Sequence, residues 1–129
     1  SCLCLAVCGE LHLIGVRMVA DLLELDGWNT YFLGGNICTQ HILKALVDHR
    51  ADLLAFSVTM PEHLGYAVDL VRAVRLNLAL QKVKILCGGQ AIERESNRWQ
   101  EIGADATAAD AAEAVRAANR LVESSRSIS

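Results

Sequence analysis

Short unbroken apolar runs alternate with longer stretches in which apolar residues recur at helical spacing. Residues 3–8 are apolar throughout, the pattern of a strand covered on both faces. Residues 14–25 carry apolar positions at helical spacing and end in Asp26-Gly27, so a helix with a turn behind it is predicted. Residues 28–33 are aromatic and β-branched, a second strand stopped by Gly34-Gly35-Asn36. Thr39 is placed to cap a helix running to about Arg50, with Leu43, Leu46 and Val47 inward.

The alternation continues to the end of the chain. Residues 52–58 read as a third strand, and Pro61 stands near the first turn of a helix, where its missing N–H costs little. Leu64, Val68, Val71 and Val74 line that helix to about Leu78. Residues 83–87 form a fourth strand, stopped by Gly88-Gly89. A weaker helix at 96–102, a short segment at 106–108, an Ala-rich helix at 110–122 and a polar tail at 124–129 complete the pattern. Such alternation implies parallel strands joined by right-handed helical crossovers. The expected fold is α/β, a flavodoxin-like doubly wound five-stranded parallel sheet in the order 2-1-3-4-5.

Composition narrows the partners. The 129 residues suffice for one domain with a real core, and a single domain over 1–129 is expected, with the start at Ser1 reading as a piece cut from a longer protein. A net charge of −3 offers no basic footprint for nucleic acid and no polybasic membrane patch. No apolar run reaches the ~18 residues of a membrane span, and no leader pattern is visible. A cytoplasmic location follows as the expectation. The five cysteines, Cys2, Cys4, Cys8, Cys38 and Cys87, read as small buried thiols of a reducing compartment.

The unusual residues fall at strand ends that this strand order makes neighbours. Glu10, His12 and Gly15 follow the first strand, Ser57 and Thr59 end the third, and Gly88 and Gly89 follow the fourth. Ligands of doubly wound sheets bind beyond the carboxyl ends of the strands, at the switch point. An imidazole on such a loop suits metal ligation, with a carboxylate such as Glu10 fixing its tautomer. No second strong ligand lies nearby. A single protein ligand suits a metal already held by a macrocycle better than a bare zinc ion. His63 opens a helix beside the same crevice, whereas His41 and His49 read as surface residues. Trp28 and Trp99 read as packing residues, and the arginines at 72–75 and 116–120 as solvated helix faces.

Glu10-Leu11-His12-Leu13-Ile14-Gly15 resembles the D-x-H-x-x-G signature of cobalamin-binding domains of the base-off, His-on type. Ser57-Val58-Thr59 resembles that family's S-x-L/T segment, and Gly88-Gly89 its paired glycines. Gly103-Ala104-Asp105 and the run Ala108-Ala109-Asp110-Ala111-Ala112-Glu113-Ala114 are similar to its ending. The resemblance spans residues 3–121. It implies that His12 is the lower cobalt ligand, replacing the cofactor's own dimethylbenzimidazole, with Glu10 accepting from the other ring nitrogen. It further implies that Ser57 and Thr59 meet the freed nucleotide tail, that Gly15, Gly88 and Gly89 make room for it, and that Ala109 lies near it.

Two departures stand out: Glu10 where aspartate is usual, and Cys38 where the family often has proline. Both resemble sensor members more than methyl carriers. The expected function is therefore a cobalamin-binding sensor or regulatory domain, light- or redox-responsive, controlling transcription through an output or regulator protein. The alternatives are a corrinoid carrier for methyl transfer, a cobalamin subdomain of an isomerase, and a haem-binding sensor relative with His12 or His63 as axial ligand. Beyond Glu10 and His12 no acid, base or nucleophile is singled out, so the domain alone is not expected to be an enzyme.

Overall fold

The computed structural model describes residues 1–6, 14–35 and 37–128. Its five strands are β1 (Cys2–Ala6), β2 (Thr30–Gly34), β3 (Leu53–Ser57), β4 (Lys84–Gly88) and β5 (Ala106–Ala108). All neighbours pair in parallel, in the order β2-β1-β3-β4-β5 that the sequence predicts. The helices are α1 (Ile14–Leu25), α2 (Thr39–Asp48), α3 (Leu64–Leu76), α4 (Gln90–Glu93), α5 (Arg98–Ile102) and α6 (Ala111–Ile128).

Side chains alternate across the sheet and build two cores. Leu3, Leu5, Leu54, Phe56 and Ile85 face α2 and α3, where Ile42, Leu46, Leu70 and Val74 meet them. Cys2, Cys4, Leu53, Ala55, Leu86 and Ala108 face the opposite way, against Val16, Ala20 and Leu23 of α1 and Ala114, Ala117 and Ala118 of α6. Leucines dominate the first core and small residues the second. Small side chains on this face leave space between the sheet and helices α1 and α6.

Four local expectations are corrected. Thr39 does not cap α2: Cys38 occupies the cap position with extended backbone, its side chain caps nothing, and Thr39 is already helical. The segment after β4 is two short helices: Gly89, whose carbonyl accepts from the N–H of Ile92 at 3.0 Å, starts α4, and α5 follows. The polar tail is helical to Ile128, since nothing from Leu121 to Ile128 is a glycine or proline that would break the i to i−4 ladder. Pro61 stands where expected, in a single 3₁₀ turn, Pro61–His63, that feeds α3.

Arg75 is the fourth. It is not a solvated helix residue but donates to Asp105 Oδ2 at 2.7 Å and to the Val83 carbonyl at 3.1 Å. The same carboxylate oxygen accepts from the N–H of buried Ile85 at 2.7 Å, and the Asp105 N–H donates to the Ile85 carbonyl at 2.8 Å. Asp105 therefore clamps the start of β5 to β4. Replacing it by alanine leaves the Ile85 N–H and the guanidinium without their carboxylate, and is expected to lower stability by about 2 kcal/mol in urea unfolding. Arg75→Ala removes only a half-exposed partner and should cost less.

Candidate functional site

A cleft of about 600 Å³ opens at the carboxyl ends of β3, β4 and β5, between the sheet and helices α1 and α6. Its origin lies in the strand register. Ser57 pairs with Gly88 and Gly88 with Ala108, so one row across the sheet holds a serine, a glycine and an alanine. The row below is Ala55, Leu86 and Ala106. Both rows face α1 and α6. Val16 and Val19 of α1 and Ala111 and Ala114 of α6 close the cleft from the helical side. A volume of this size lies within the range of small-molecule sites.

Ser57, Thr59, Gly88, Gly89 and Ala109, all singled out from sequence, line this cleft together. Gly15 is the second residue of α1, next to cleft-lining Val16. Glu10 and His12 lie outside the described residues, as does Cys8. His63 is half-buried with its ring 5.8 Å from that of Tyr66, and it is not part of the cleft wall. Val16, Val19, Ala55, Leu86, Ala111 and Ala114 were not anticipated. For Ala111 and Ala114 the signal was present in the Ala-rich start of the last helix, which reads equally well as ordinary helix propensity; the other four read as ordinary core positions.

The paired glycines answer first to the chain itself. A Cβ on Gly88 would stand 2.9 Å from the Ala108 carbonyl oxygen. Gly89 has φ +101°, and its Cβ would overlap the backbone of Val58. That backbone is committed: the Val58 N–H donates to the Gly88 carbonyl at 3.0 Å, and the Val58 carbonyl accepts from the Ala91 N–H at 3.0 Å. Gly88-Gly89 thus lets the β3 and β4 ends and α4 close together, which sets the rim from which Ser57 and Thr59 face the cleft.

The polarity of the wall is graded. Gln90, Glu93 and Asp110 are exposed at the mouth, Ser57 and Thr59 are half-buried, and Val16, Ala55, Leu86, Ala108 and Ala114 are buried. Asp110 Oδ1 accepts from the Glu113 N–H at 2.7 Å, capping α6 at that mouth.

The described cysteines divide by environment. Cys2, Cys4 and Cys87 are buried as expected, but Cys38 is exposed, its Sγ 3.3 Å from His41 Nδ1. Burial pushes the Cys87 thiol up to about 12. The Cys4 thiol, with Sγ atoms 3.6 Å apart, and then burial, push Cys2 well above its ordinary value. A thiol reagent at pH 8 is expected to label Cys38 in the native protein, with Cys2, Cys4 and Cys87 modified only on unfolding, as read by mass spectrometry. Because folding raises the Cys87 pKa, its contribution to stability is full below about 9 and is lost as pH climbs toward about 12.

Comparison with known proteins gives this arrangement its class. The B12 binding domain family matches residues 1–119, and the chain belongs to that family. It is similar to monomethylamine corrinoid protein 2 of Methanosarcina barkeri, 32% identical over 118 residues, covering 89% of this chain and 53% of the relative. The solved Methanosarcina barkeri monomethylamine corrinoid protein superposes with a TM-score of 0.83 at 28% identity, over 91% of this chain and 55% of that one. The methanol:cobalamin methyltransferase complex of Methanosarcina barkeri shares the fold, with a TM-score of 0.86 at 21% identity over 95% of this chain and 46% of that one. The chain spans about half the length of the corrinoid relative it matches.

The family match supports the corrinoid expectation over haem. The cleft also suits the group on its own geometry: a slot with a floor of small residues and two hydroxyls partway down can take a long appendage with an aromatic end. Among the described residues no helix is long and apolar enough to cross a membrane.

Proposed function

We propose that this domain is a corrinoid carrier for methyl transfer, holding the cofactor for partner methyltransferases rather than catalysing alone. The cleft between the sheet, α1 and α6 carries the reading, because its depth and small-residue walls suit a detached nucleotide tail. Such a tail leaves its place at cobalt open to a protein group, and His12 on the β1–α1 segment is an imidazole the sequence offers for it. When bound, the corrinoid supplies a cobalt centre able to take up and give up a methyl group.

This chain's residues then have binding and orienting tasks. Ser57 and Thr59 offer hydroxyls to the polar middle of the tail, and Glu10 holds the imidazole of His12 by accepting from its other nitrogen. The relatives named methylamine corrinoid proteins favour the carrier over the sensor that Glu10 and Cys38 suggest. The departures keep the sensor as a second reading, since exposed Cys38 beside His41 has no counterpart in the proline the family often carries there.

The test is to load the 129-residue chain with hydroxocobalamin, reduce it, and supply a methylamine or methanol methyltransferase system. The carrier reading expects methyl groups to load and discharge repeatedly, followed by the corrinoid spectrum. A loaded domain that never turns over methyl groups, yet changes its association with a partner on illumination or oxidation, would favour the sensor.

A further inference from the structure

We propose that the floor of the cleft selects corrinoids by the base that ends the tail, accepting an apolar aromatic base and disfavouring a purine. This rests on the corrinoid reading above and adds a ligand preference to it. The deep wall, Val16, Ala55, Leu86, Ala108 and Ala114, holds no side-chain donor or acceptor, and each of these residues is at most 8% exposed. Among the described residues no buried side-chain nitrogen or oxygen lacks a partner, so no side chain waits there for a ligand group. The polar side chains, Ser57, Thr59 and those of the mouth, sit where ribose and phosphate would pass, short of the floor.

The chemistry of the bases then decides. Adenine carries an exocyclic amine and three ring nitrogens beyond its glycosidic link, each hydrogen-bonded in water. Seated against valine, leucine and alanine, these groups lose water and gain no side-chain partner. A p-cresol ring, smaller and without ring nitrogens, loses only apolar hydration there. The same logic makes a site without polar groups a poor host for a polar analogue.

The experiment compares three corrinoids on the 129-residue chain by equilibrium titration: p-cresolyl cobamide, adeninyl cobamide and cobinamide, which has no nucleotide tail. Neither the cresol nor the adenine base grips cobalt as benzimidazole does, so detachment of the tail contributes little to the difference. The p-cresolyl form is expected to bind at least about 10-fold more tightly than the adeninyl form. Ala114→Ser, which places a hydroxyl on the α6 wall, is expected to narrow that ratio at least about two-fold while leaving the chain folded. Equal affinities for the two complete corrinoids, both above cobinamide, overturn the selectivity and leave corrinoid binding standing. A p-cresolyl form no tighter than cobinamide, or a ratio unmoved by Ala114→Ser, also overturns it. Binding of none of the three overturns the corrinoid reading itself, and the selectivity with it.

Discussion

His12→Ala is expected to weaken cobalamin binding by at least about 100-fold and to abolish the spectral signature of imidazole below cobalt. The magnitude follows from the hierarchy of metal sites. Removing a partner that merely orients a ligand costs about 10–100-fold in affinity, so removing the ligand itself reaches at least the upper end. The effect should be specific to cobalt, since the substitution removes the proposed ligand and leaves the residues named in the cleft wall unchanged. Cobinamide and cobalamin should therefore both suffer, and the urea midpoint of the cofactor-free domain should stay where it is. Glu10→Gln keeps the shape but weakens the acceptor, and about 10-fold is expected. Unchanged affinity and spectrum in His12→Ala would place the cobalt ligand elsewhere.

Gly89→Ala is expected to destabilise the domain by about 3 kcal/mol or more. Two costs add at this residue. Its φ of +101° is one that a side chain rarely adopts, and a Cβ there would stand 2.8 Å and 2.9 Å from the carbonyl carbon and nitrogen of Val58. Val58 cannot step aside without giving up hydrogen bonds to Gly88 and Ala91. Gly27 supplies the control, with φ +97° and nothing within 4 Å of the position a Cβ would take. Gly27→Ala should show the backbone cost alone, about 1–2 kcal/mol. Urea unfolding of the two variants reads the difference, and equal losses would mean that the crowding at Val58 is relieved cheaply. Corrinoid affinity should fall in Gly89→Ala as well, because the rim carrying Ser57 and Thr59 is built on the same contact.

What could be read from the chain alone follows from how local the signals are. Apolar runs and helical spacing depend on neighbours in sequence, which is why α1 and β5 begin and end at the predicted residues and the strand order needed no correction. Right-handed crossovers leave few ways to arrange alternating elements. That Ser57 and Thr59 belong together at the cleft was legible for a similar reason: polar residue types at strand ends are conspicuous against apolar runs. The segment after β4 was harder to read, because α4 and α5 are too short for periodicity to speak.

The rest belonged to the tertiary structure. Arg75 looked like any solvated helix arginine until the sheet brought Asp105 to it from 30 residues away. Gly88-Gly89 read as space for a ligand or as a tight turn; both residues line the cleft, and the close approach of Ala108 and Val58 is a further reason, invisible in the chain, that no side chain stands there. The cleft itself had no motif, since alanine in a helix and alanine on a strand mean nothing until register lays Ser57, Gly88 and Ala108 in one row facing α6. Sequence by itself determined the elements, their order and the residue types at the strand ends, because these rest on short-range periodicity and handedness. Only the packed structure decided where space remains, because a cavity is set by the side chains of separate strands and helices that meet nowhere along the chain.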